Sequence, residues 1–101
     1  VDIVVPVGLI LNELITNSLK YGFSDAATGN MIKVILNDTG GTMHLAVYDN
    51  GKGLLQHISS AENISFGFKM IDAFLKKLSG TIKRYNEEGA RTEIEIPGYK
   101  N

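Results

Sequence analysis

The sequence contains no cysteine, so it can form neither a disulfide framework nor a thiolate metal site, which fits a reducing compartment. It has no surplus of basic residues either. The formal net charge is -1 and the ten Lys and Arg residues are spread along the chain, which leaves no footprint for a nucleic-acid backbone or another polyanion. No apolar run approaches the ~18 residues of a membrane span, because Asp2, Pro6, Asn12 and Glu13 interrupt the only candidate. No secretory signal pattern, internal repeat or low-complexity segment is present. These absences point to a cytoplasmic setting without nucleic acid and without direct membrane contact, any membrane tether lying in sequence beyond this stretch. The 101 residues make one domain, 1–101, with a modest core of two layers. A start at Val1 rather than Met, almost directly on a helix, points to a piece of a longer protein.

The chain is organised around Leu9 to Tyr21, which reads as an amphipathic helix. At 100° per residue Val7, Leu11, Leu14, Ile15 and Ser18 fall on one side, and Glu13, Asn17 and Lys20 line up on the other. A carboxylate, an amide and an ammonium in one row is either a solvated face or a site. Asn12 and Asn17 sit mid-helix, where Glu, Lys or Gln would form helix better. Val1 to Val5 reads as a strand end or extended entry, Pro6 suits a first helical turn, and Gly22 is a left-handed cap.

Beyond a loop from Ser24 to Asn30, Met31 to Asp38 alternates, with Ile32, Val34 and Leu36 on one face, and Thr42 to Asp49 returns antiparallel after the turn Asp38-Thr39-Gly40-Gly41. Period two places Met43, Leu45, Val47 and Asp49 on one inward face. A carboxylate ending an apolar column needs a donor, because an unpaired one costs several kcal/mol or loses its charge. Either a backbone N–H of the following glycine-rich turn supplies it, or a ligand does. Asn50-Gly51-Lys52-Gly53 and a polar stretch from Gln56 to Asn63 follow. Ser65-Phe66-Gly67-Phe68 then leads into a second helix with Phe68, Ile71, Phe74, Leu75 and Leu78 at helical spacing. A glycine just before a helix start exposes N–H groups of the kind that hold phosphates, and it is equally a plain tight turn. Thr81 to Tyr85 and Ala90 to Ile96 form a last hairpin, in which Thr92 joins Asp49 on the core side. The layout predicts an α/β (α+β) fold: a two-layer sandwich with a mostly antiparallel mixed sheet and helices on one face.

Read together, Gly8-Leu9-Ile10-Leu11-Asn12-Glu13-Leu14-Ile15-Thr16-Asn17, Asp49-Asn50-Gly51-Lys52-Gly53, Ser65-Phe66-Gly67-Phe68 and Gly89-Ala90-Arg91-Thr92 resemble the ATP-binding catalytic domain of bacterial sensor histidine kinases, in the wider group with gyrase, Hsp90 and MutL. The resemblance covers nearly the whole chain. It implies a Bergerat-type ATP-binding fold and the cofactors ATP and Mg²⁺. It further implies that Glu13 is catalytic, that Asn17 is the protein ligand of the metal, and that Lys20 and Tyr21 contact phosphate or ribose. Asp49 would accept from the adenine amino group, Thr92 would support the base, and Gly51 and Gly53 would hinge a lid reaching to about Ile64. N–H groups near Gly67 would hold phosphate. The partner it implies is a dimerisation and phosphoacceptor helical domain of the same protein, with a response regulator downstream. The alternatives are an anti-sigma-factor-like serine kinase, which shares these boxes, and a nucleotide-binding module without turnover. The sequence departs from the family's pattern in the serine and Phe66 of its second glycine box and in its short lid. It also has no histidine in a phosphoacceptor context, since His44 and His57 both read as surface residues.

Overall fold

The computed structural model describes residues 3–23, 29–51 and 61–99. Helix α1 (Val4–Asn17) continues into a π-helical turn (Ser18–Gly22). A hairpin of β1 (Ile32–Thr39) and β2 (Thr42–Asp49) follows, then α2 (Ala61–Leu78), then a hairpin of β3 (Thr81–Asn86) and β4 (Ala90–Pro97). The strand order is β1-β2-β4-β3 and every pairing among the described residues is antiparallel. The two-layer α+β sandwich is thus as predicted, with its four described strands all antiparallel. Both hairpins close locally, and the second docks through β4 antiparallel to β2. No helix among the described residues is long and apolar enough to cross a membrane.

The core stripe of α1 is Val7, Ile10, Leu14 and Ser18, spaced by three and four as one helix face requires. Leu11 and Ile15, expected on that face, are half-buried at its flank, while Ile10 is fully enclosed. A helix that is apolar nearly all round does not fix its own rotation; the sheet beneath it does. Val4 and Val5 belong to this helix rather than to a strand, with Pro6 in its first turn. The helix gives out where Phe23 turns extended, at φ -115 and ψ 150.

Ile10, Leu45, Ile71, Ile94 and Ile96 are the largest enclosed side chains, drawn from both helices and the two central strands. Each contributes roughly 1.5–3 kcal/mol by leaving water. The edge strand β1 is less buried than its alternation predicts. Val34 and Leu36 pair with Val47 and Leu45 and so face the helical side, yet they remain 45% and 55% exposed. The helical layer closes over β2 and β4 and stops short of this edge. Between β1 and β2 the pairing of Thr39 with Thr42 leaves Gly40 and Gly41 as a two-residue turn, with φ of +61° and +86°. Only positive φ at both positions matches the strand twist there, which is why glycine fills them.

The opposite face of the sheet carries a polar cluster. Tyr48 and Tyr85 each donate a hydroxyl to Glu93 Oε2 at 2.7 Å, while Arg91 lies 4.4 Å over the Tyr48 ring and Lys83 lies 5.2 Å over Tyr85. The bonds from Tyr85 and Tyr48 hold the Glu93 carboxyl below its ordinary value of 4.5. The bond to Glu93 in turn raises Tyr48 and pushes the Tyr85 phenol up to about 12. A depressed carboxyl stabilises the fold above its ordinary value and loses that contribution as pH falls through the lowered one. A raised phenol stabilises below its ordinary value of 10 and loses that contribution as pH rises towards about 12. Glu93→Gln is therefore expected to flatten both the acid limb below 4.5 and the alkaline limb above 10 of a plot of urea midpoint against pH. Limbs that match the wild type would show that the cluster does not couple folding to protonation.

Candidate functional site

Asp49 ends the inward column of β2 and is only 5% exposed. Its Oδ1 accepts the Gly51 N–H at 2.9 Å and the Ala90 N–H at 3.0 Å, and its Oδ2 accepts the Ser18 hydroxyl at 2.7 Å. The local turn donor is therefore present, in Gly51. The other two donors come from the start of β4 and the end of α1, 41 and 31 residues away, and no local reading could supply them. A carboxylate offers about four lone-pair sites, and the three donors leave one open on Oδ2. Thr92 is buried on the same face, opposite Val47, and so lies diagonally next to Asp49. The turn before β4 passes so close that a Cβ on Gly89, whose φ is +131°, would run into the Asp49 carbonyl.

The residue before Ser18 is Asn17, half-buried, with its Nδ2 enclosed and without a hydrogen-bond partner. With no protein group fixing the amide, a flip about its last torsion can present either oxygen or nitrogen. One turn earlier Glu13 is half-buried against Gly67 of α2, where a Cβ would collide with Glu13 Oε2 and Cδ. This placement corrects one expectation. Because α2 starts at Ala61, Gly67 is its seventh residue, past the four N–H groups that a helix leaves free. Gly67 lies inside α2 rather than at its start, and there it gives clearance to the Glu13 carboxylate. The expected lid end near Ile64 falls within α2, since residues from 61 onward are helical. One turn along α2, Arg84 of β3 stacks 4.2 Å over Phe68 and reaches Asp72 Oδ1 at 3.2 Å, which ties this part of the helix to the sheet.

Glu13, Asn17, Asp49, Gly51 and Thr92 thus gather at one end of the sandwich, between α1 and the ends of β2 and β4. Lys20 is exposed on the π-helical turn. Gly53, the lid segment with His57 and the side chain of Tyr21 lie outside the described residues, while His44 sits on the opposite sheet face, 3.5 Å from Glu95. Two residues went unrecognised in the sequence. Ser18 reads there as part of an apolar stripe. Asn50 binds the chain before β1, its Oδ1 accepting the Met31 N–H at 2.7 Å and its Nδ2 donating to the Gly29 carbonyl at 2.9 Å. An asparagine directly after a strand and before glycine is a turn signal that could have exposed the second. Among the described residues no group of three or more His, Cys, Asp or Glu could hold a metal. The hard amide oxygen of Asn17 fits an ion that keeps waters and takes phosphate oxygens from its substrate.

Two helices over one face of an antiparallel sheet give this chain the α+β fold of histidine kinase catalytic domains. The chain belongs to the histidine kinase-, DNA gyrase B- and HSP90-like ATPases, whose family model matches residues 3–100. Its fold is similar to the histidine kinase domain of the blue-light activated histidine kinase EL346 of Erythrobacter litoralis, at 22% identity and a TM-score of 0.77, over 91% of this chain and 43% of that one. It is also similar to the histidine kinase AdeS of Acinetobacter baumannii, at 21% identity and 0.69, over 91% of this chain and 45% of that one. The catalytic domain of the histidine kinase ThkA aligns at 17% identity and 0.70, over 93% of this chain and 67% of that one. At these identities the likeness is one of fold, and the chain spans less than half the length of the first two. No curated relative matches the chain.

Proposed function

We propose that this domain binds Mg-ATP and passes the γ-phosphate to a histidine on a separate helical dimerisation domain of the same protein, from which a response regulator is served in two-component signalling. The observation that supports this most is the buried Asp49 carboxylate, whose three donors leave open one of its roughly four acceptor sites, with Thr92 buried diagonally beside it. That site suits the adenine amino group, with Thr92 supporting the ring. Asn17 would hold Mg²⁺ through its amide oxygen, and the ion when bound neutralises phosphate charge. Lys20 and Tyr21 would approach the phosphates or ribose, and Gly51 with Gly53 would flank the lid. In the transfer itself an imidazole nitrogen bonds to the γ-phosphorus while the bond from that phosphorus to the β,γ-bridging oxygen breaks. ADP leaves with that oxygen, and Glu13 orients the imidazole and takes its proton.

Nucleotide at 100 times its dissociation constant should stabilise the fold by ~2.7 kcal/mol. A thermal melt in millimolar Mg-ATP or Mg-ADP should therefore shift upward, and more with Mg²⁺ than with EDTA. A melting curve unmoved by either nucleotide overturns the reading.

A further inference from the structure

We propose that Ser18 is a positioning residue that sets the base specificity of this site by holding Asp49 Oδ2 in one direction and occupying one of its lone pairs; the inference rests on the nucleotide-binding reading above. The two backbone donors, Gly51 and Ala90, both end on Oδ1. The last torsion of aspartate is broad and soft, and because the carboxylate is rigid and planar any swing about it carries Oδ1 and Oδ2 off these donors together. The Ser18 hydroxyl at 2.7 Å is the third point that stops this swing, and both side chains are buried, at 7% and 5% exposure. It also consumes one of the lone pairs on Oδ2.

What remains towards the ligand is one acceptor of fixed direction and no donor from the carboxylate. A ring that presents an exocyclic amino group satisfies it. One that presents a carbonyl oxygen at the same place meets a charged oxygen instead. Ser18 is therefore needed for discrimination as well as for packing. Its place in the chain adds a second role: it directly follows Asn17 and opens the π-helical turn that carries Lys20. The bond to Asp49 thus anchors the phosphate end of the site to the base end.

Without the hydroxyl, only the two donors on Oδ1 oppose rotation of Asp49, and ATP binding should weaken by roughly tenfold, the usual scale for a lost bond to a charged group. GTP binding, which gains nothing from the fixed acceptor, should change little. The test is isothermal titration of ATP, ITP and GTP, each with Mg²⁺, against wild type, Ser18→Ala and Ser18→Thr, with a melting curve for each protein. The expected result is that Ser18→Ala lowers the ATP:ITP and ATP:GTP affinity ratios by roughly tenfold and that Ser18→Thr, which keeps the hydroxyl, restores them. A merely structural serine would lower all three affinities together and leave the ratios alone, and that outcome overturns the inference while the nucleotide-binding reading stands. Failure of the wild type to bind ATP overturns that reading itself. Should Ser18→Ala not fold, Ser18→Cys, a weak donor of similar size, carries the same comparison.

Discussion

Glu13→Gln should slow histidine phosphorylation by ~10²-fold or more while leaving Mg-ATP affinity within a few fold, the usual consequence of losing a positioned base. Glu13 stands one turn before Asn17 on α1, and its carboxylate lies against Gly67 of α2, whereas the Asp49 carboxylate is bonded by Ser18. In the proposed reaction it would meet the phosphate end of the nucleotide rather than the base. Glutamine keeps the shape and the acceptor oxygen but cannot take a proton. Gly67→Ala provides an independent route to the same result, because its Cβ would take the space of Glu13 Oε2 and Cδ and force the carboxylate away. The assay is acid-labile phosphate accumulating on the phosphoacceptor domain, supplied in trans or within the longer protein, with affinity followed separately by melting shift. Equal initial rates for wild type and Glu13→Gln would show that this carboxylate is not the catalytic one.

Gly89→Ala should destabilise the domain by ~3 kcal/mol or more. Two costs coincide there: a φ of +131°, which side chains rarely adopt, and a Cβ directed onto the carbonyl of Asp49. Relief would require β2 and β4 to separate at the point where Ala90 N–H holds Asp49 Oδ1, so nucleotide affinity should fall with stability. Gly40→Ala separates the two causes. It has a φ of +61° but open space around it, and so carries only the conformational cost of ~1–2 kcal/mol. Urea midpoints measured for both variants at unchanged slope decide the matter. A Gly89→Ala loss no larger than that of Gly40→Ala would mean that the turn relaxes freely and does not brace the aspartate.

The local patterns carried most of the architecture. Period two in β2 and β4 placed Asp49 and Thr92 on the core face, because alternation is a property of the strand itself and needs no neighbour. The glycine pair at 40 and 41 fixed the first hairpin for an equally local reason. The α1 stretch was recognisable as a helix, but its rotation was not: with Ile10, Leu11, Leu14 and Ile15 all apolar, only contact with β2 and α2 could choose which to enclose. The same limit hid the start of α2 at Ala61, inside a polar run of no clear period, and with it the real surroundings of Gly67. Non-local pairing decided the remainder. That β4 rather than β3 lies beside β2, and that Ser18 closes on a carboxylate 31 positions along the chain, follow from how the layers stack. By itself the sequence determined which residues of β2 and β4 face inward. Which inward groups satisfy one another, and so what is left open for a ligand, was settled only when helix and sheet came together, because a hydrogen bond between distant residues has no periodicity to betray it.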